Sequence, residues 1–161
     1  SSRDHRFDRD RGASVWHAPL GPAATAALDA AWDDLAGGPG APLTLTVQGR
    51  SVTLPAFRAG VARASFAELC GRPLGPGDYL AIAGAVETLI LDAVPVLGRA
   101  RSNEAKRFVT LVDALYEAKA RLIASAEAAP AALYPEGPGA FEFNRTVSRL
   151  AEMGAADWGP R

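Results

Sequence analysis

Between Thr88 and Ala126 the chain reads "TLILDAVPVLGRARSNEAKRFVTLVDALYEAKARLIASA", two apolar runs around a segment of helical spacing. Thr88–Leu91 is a β-type run with no polar alternation, which suits a strand covered on both faces. Ala105, Phe108, Val109, Val112, Leu115 and Tyr116 then recur at the spacing of one broad helical face, with Ser102 or Asn103 as the natural N-cap and Glu104 in the first turn. Ala120–Ala126 is a second buried strand. Strand, helix, strand with these lengths is a βαβ unit, which requires parallel strands, a right-handed crossover and a layered sheet.

The segment before it follows different rules. "LTLTVQGRSVTL" alternates Leu43, Leu45 and Val47 with threonines, then Val52 and Leu54 around Thr53. This predicts a hairpin with Gly49-Arg50 as its turn, Val47 facing Val52, Leu45 facing Leu54, and Pro55 ending the second strand. "GVARASF" supplies a third strand over Val61–Ser65, and Ser65 with Glu68 reads as a capping box opening a short helical turn. "GRPLGPGD" is a connector, after which Asp78 caps a helix from Tyr79 to about Ala85. Near the start, "SVWHAPL" reads as a short strand. A helix opens at Gly21-Pro22, buries Leu28, Trp32 and Leu35, and stops at Gly37-Gly38. "NRTVSRLAEM" is a final helix.

The expected fold is therefore α/β, tending to α+β: a layered sheet holding a parallel βαβ unit, an antiparallel hairpin and flanking helices. One domain over 1–161 is expected, with a leading segment and helix over 3–40, the hairpin and strand over 43–66, and the βαβ unit and terminal helix over 66–161.

Composition limits the function. Seventeen basic and eighteen acidic side chains give a net charge of −1, so bulk attraction to nucleic acid is not expected. No run approaches the length of a membrane span, and "SSRDHRFDRDRG" is charged where a secretion signal would be apolar, which points to the cytoplasm. The lone Cys70 excludes an internal disulfide and cysteine-rich zinc sites.

The residues give little local chemistry. No G-x-x-x-x-G-K-[ST] loop occurs, and "GRPLGPGD" has prolines in place of amide donors and no lysine. "TLILDAVP" resembles half of a Walker B strand, but Ala93 stands where hydrolysis needs a carboxylate, and Asp92 reads better as the cap of a turn. His5 and His17 have no nucleophile elbow to serve, His17 reading better as a turn or interface residue, and Cys70 reads as a small packed hydrophobe. Lys106, Asp113 and Glu117 read as a solvated helix face. Arg107 lies off the apolar stripe, able to reach a phosphate, a carboxylate or a neighbouring subunit. Arg145 and Arg149, four apart, form a second such pair.

Several blocks resemble the ZapE-type family of AAA+-like P-loop ATPases: "DHR" at Asp4–Arg6, "FAELCGRPLGPGDYLAIA", "NEAKRFVTLVDALYEAKARLIASAE" and "FNRTVSRLAEM". The resemblance covers the region downstream of that family's catalytic motifs. It implies a C-terminal part of an ATP- and Mg2+-using protein of cell division or protein quality control, contributing a lid or subunit contacts and inactive by itself. Its own N-terminal ATPase segment and further copies of the same protein are the implied partners, with no nucleic acid and no membrane span. Arg107 first and Arg6 second are the implied nucleotide-sensing or trans-acting arginines, no catalytic residue or metal ligand is expected in this chain, and the charged segment Arg3–Arg11 is an implied interface. His5 stands in place of a usual Tyr, Gly154 where a Gln is common, and Trp158 where a Tyr is common, so the last helix is expected to end early. The competing reading is a stand-alone protein-interaction module without nucleotide chemistry; a small hydrolase using Cys70 is a third.

Overall fold

A computed structural model describes residues 15–160. The expectations placed on His5, Arg6 and Arg3–Arg11 fall outside them. Six strands form one mixed sheet: β1 (Trp16–His17), β2 (Ala41–Val47), β3 (Arg50–Arg58), β4 (Val61–Ser65), β5 (Thr88–Val94) and β6 (Arg121–Ala126). Their spatial order is β1-β6-β5-β4-β3-β2. The β1, β6, β5 and β4 strands are parallel, whereas β4, β3 and β2 are antiparallel. The mixed α/β architecture read from the sequence is present, and β4 to β5 forms a second βαβ unit beside the expected β5 to β6 unit.

Five helices cover the sheet unequally. Among the described residues, α1 (Pro22–Ala36) is the one helix that packs on one face. There Leu28, Ala36, Val61, Ile90 and Ile123 form a small core, with Trp32 and Leu35 partly buried beside it. The larger core lies on the other face under α2 (Phe66–Cys70), α3 (Pro76–Ala85), α4 (Ser102–Glu117) and α5 (Phe143–Met153). Alternation along the strands decides the partition: Leu89 and Leu91 of β5 enter the large core while Ile90 enters the small one. Burial on both faces explains why β5 and β6 read as continuous apolar runs.

Five local expectations are corrected. The hairpin turn is Gln48-Gly49, both at positive φ (50° and 80°), so Leu45 faces Val52 and Leu43 faces Leu54. Two residues of positive φ give the twist that matches a right-handed ribbon, which a glycine-first turn at 49-50 would have supplied one residue later. The register slips by two, an even number, so Val47, Val52 and Leu54 stay on the core face. Pro55 does not end β3: it lies where the β2–β3 register shifts between Ala41 and Leu43, an irregularity that tolerates a missing N–H.

At α3 the helix begins at Pro76, whose fixed φ suits a first turn, and Asp78 is its third residue rather than its cap. The α4 helix begins at Ser102 after a 3-10 turn at Arg99–Arg101, so neither Ser102 nor Asn103 acts as a side-chain cap. The Ser65–Glu68 capping box forms as read, and α5 ends at Met153 before Gly154. Among the described residues no helix is long and apolar enough to cross a membrane.

Candidate functional site

Parallel α/β sheets bind ligands beyond the carboxyl ends of strands, where neighbouring strands lead to opposite faces. Here that place lies between β1, which leads into α1, and β6, which leads toward α5. A cavity of about 410 Å3 opens at this point, lined by Trp16, His17 and the β1–α1 loop Ala18–Pro22 with Ala23 and Ala24. His17 is half-buried at the end of β1, opposite Ser125 of β6. Pro19 and Pro22 offer no amide donors to this cavity and no lysine lines it.

Next to it, the end of β5 is tightly built. Asp92 does not cap a turn: Arg63 of β4 donates Nε to Asp92 Oδ1 and Nη2 to Asp92 Oδ2, both at 2.9 Å. The remaining Arg63 nitrogen, Nη1, reaches Asp29 of α1 at 2.7 Å. The Asp92 hydrogen bonds foremost, despite partial burial, push the Arg63 guanidinium further above its already high range. Ala93 follows at φ 64°, and its N–H donates to Ser125 Oγ at 2.8 Å. A non-glycine residue in this region carries strain that the surrounding contacts must hold. Nothing in "RASF" signals that Arg63 pairs with a carboxylate 29 positions on; only the register of Ser65 against Asp92 brings them together.

The sequence-named arginines separate. Arg107 is half-buried on α4 and its Nη1 donates to the Cys70 carbonyl at 3.1 Å, satisfying the end of α2. Arg149 leaves its expected partner Arg145 and meets Asp113 at 2.5 Å, with its guanidinium 4.7 Å from the centre of the Tyr116 ring. Arg145 is exposed beside a shallow cavity of about 370 Å3 shared with Asp113 and Phe141. Tyr116 in turn donates to Glu152 at 2.7 Å and stacks on Trp158, ring centres 5.2 Å apart. The helical spacing placed Arg145 and Arg149 on one face, but the neighbouring α4 helix takes only one of them.

Cys70 is fully buried. Burial pushes its thiol up to about 12, against the lowering effect of Tyr79 and Arg107, so it has no thiolate to offer as a nucleophile. The Tyr79 hydroxyl donates to the Leu69 carbonyl at 2.6 Å, and burial raises it as well. Among the described residues, no three or more His, Cys, Asp or Glu side chains gather where they would hold a metal ion.

With this geometry in view, comparisons with known proteins agree on one relationship. A family model described as AFG1-like ATPase matches residues 1–161. The chain is 34% identical over 157 residues to the Escherichia coli (strain K12) cell division protein ZapE, covering 96% of this chain and 42% of that protein. It is 41% identical over 116 residues to lactation elevated protein 1 homolog B of Danio rerio, covering 72% of this chain and 23% of that protein. The chain thus spans less than half the length of these curated relatives. No solved structure matches it significantly.

Proposed function

The chain belongs to the AFG1-like ATPase family, and from that premise we propose that it is the lid and subunit-contact part of an ATP-hydrolysing protein whose phosphate loop lies elsewhere in the polypeptide. The observation that carries this reading is the match of the ATPase family over all 161 residues of a chain with no phosphate loop in its sequence. ATP with Mg2+ is the cofactor that the family implies.

The described residues do not fit that cofactor by themselves. The β1–α1 loop presents two prolines and no lysine, and Asp92 is held on both oxygens by Arg63. Arg107, and Arg6 outside the described residues, are proposed to meet nucleotide phosphate held by another part of the protein or another subunit. Arg107 Nη1 is engaged with Cys70, and a planar guanidinium keeps further donors for a second partner. The similarity to a cell division protein supports work in division; protein quality control, a cytoplasmic location and an oligomeric state are proposed with it.

Two measurements test the reading. Calorimetry of ATP with this chain alone should show no micromolar binding; such binding would place a phosphate site inside it. Arg107→Ala in the full-length protein should lower turnover or nucleotide affinity, and unchanged values for both would remove Arg107 from the site.

A further inference from the structure

A cavity of about 510 Å3 opens between the start of α4 and the loop that leads into α5. That volume lies in the range of small-molecule sites, ~300–1,000 Å3. Its floor is apolar: Ala105 and Phe143 are buried, Val109 is half-buried, and the Tyr134 ring meets Phe143 edge-on with centres 5.7 Å apart. The loop wall is held in place. Tyr134 donates its hydroxyl to the Pro138 carbonyl, and Gly137, at φ 137°, passes so close that a Cβ there would lie 2.6 Å from the Tyr134 oxygen. A wall fixed in this way costs a ligand little ordering.

Both signs of charge reach the cavity. Lys106 stands on α4 one turn after Ser102, and neither Ser102 nor Asn103 caps the helix, so an ammonium, a hydroxyl and a carboxamide line the α4 side together. Glu142 lines it from the loop side. Lys106 and Glu142 are exposed, and neither has an ion-pair partner among the described residues. Two opposite charges thus border one cavity without meeting, over an apolar floor.

We propose that this cavity binds a small zwitterion with an apolar body, the chemistry of a free α-amino acid bearing an aromatic or large aliphatic side chain. Its carboxylate meets Lys106 and the donors of Ser102 and Asn103, its ammonium meets Glu142, and its side chain lies on Val109, Tyr134 and Phe143. Glu142 disfavours a ligand that is only an anion, and Lys106 one that is only a cation. A peptide end carries one of the two charges and not the other. The site uses neither Arg107 nor a phosphate, so it stands apart from the proposed ATPase role.

Calorimetry of the 161-residue chain tests it, with phenylalanine, N-acetylphenylalanine and phenylalaninamide as probes. The expected result is saturable binding of phenylalanine in the millimolar range or tighter, weakened about tenfold or more in each derivative, because each lacks one charge-assisted contact. Lys106→Gln should abolish the preference for phenylalanine over its amide, and Glu142→Gln the preference over the acetylated form. Each preference is a ratio read within one variant, so a general loss of stability does not mimic it. Absence of saturable phenylalanine binding, or unchanged preferences in the two variants, would overturn the proposal. Equal affinity for N-acetylphenylalanine would make this a site for the carboxyl end of a peptide, and displacement of phenylalanine by ATP would give the cavity to the nucleotide; either would overturn it as well.

Discussion

Arg63 and Asp92 meet as a fork on a carboxylate, two parallel hydrogen bonds of 2.9 Å joining the ends of β4 and β5. With Nη1 on Asp29, the same guanidinium ties α1 to the sheet it covers. Arg63→Ala should cost about 2–3 kcal/mol, because Asp92 is then left with few partners in a partly dry position. Arg63→Lys keeps the charge but not the fork, so it should recover less than half of the loss in a urea titration. Full recovery by Lys would mean that charge alone matters here.

Asp78 is fully buried, yet its two oxygens accept from Arg50 Nη2 at 2.8 and 2.7 Å and Oδ2 also accepts the Gly75 N–H at 2.7 Å. Burial acts to raise its carboxyl, but the Gly75 and Arg50 bonds together outweigh it and hold the group below its ordinary value. A depressed folded value means that the native state binds fewer protons than the unfolded chain around pH 4. This stabilisation is therefore complete above the unfolded value and is lost as pH falls through the folded one. Asp78→Asn should lower stability by about 2 kcal/mol at pH 7 through the lost charge-assisted bonds, and should flatten the acid limb below about pH 4, the ordinary carboxylate value. An unchanged acid limb in that variant would show that other carboxylates set it.

Trp158 fixes the end of the chain. Its ring stacks on Tyr116, its Nε1 donates to the Ala120 carbonyl at 2.8 Å, and Lys119 Nζ lies 5.1 Å above it. Trp158→Ala should destabilise by about 1–2 kcal/mol through lost stacking and an orphaned carbonyl, while Trp158→Phe should keep the stacking part. Thermal unfolding of the two variants separates the contributions; equal losses would assign the whole effect to the indole hydrogen bond.

Cys70 should resist thiol reagents in the folded protein. With its thiol pushed up to about 12 and no exposed surface, labelling should stay slow from pH 7 to pH 9 and become rapid only in denaturant. Fast native labelling that rises with pH over that range would contradict the burial of α2.

Much of the fold was legible because it depends on neighbours in sequence. Thr88–Leu91, Ala120–Ala126 and the helical face between them are periodic patterns, and the Ser65–Glu68 box spans three residues. The hairpin register was missed because Gln48 takes positive φ, which only the twist of the ribbon rewards. Asp92 read as a turn cap because its partner Arg63 is 29 positions away and named by no motif.

By itself the sequence determined the parallel βαβ unit, the faces of its elements and the family to which they belong, since periodicity and residue order survive without coordinates. Tertiary structure alone decided which charges are used. It gave Arg149 to Asp113, Arg63 to Asp92 and Asp29, and Arg107 to the Cys70 carbonyl, and it left Arg99, Arg101, Asp33 and Asp34 at the surface. The physical reason is reach: a hydrophobic period acts along one element, whereas an ion pair forms only where strand register and helix packing bring distant segments within about 3 Å.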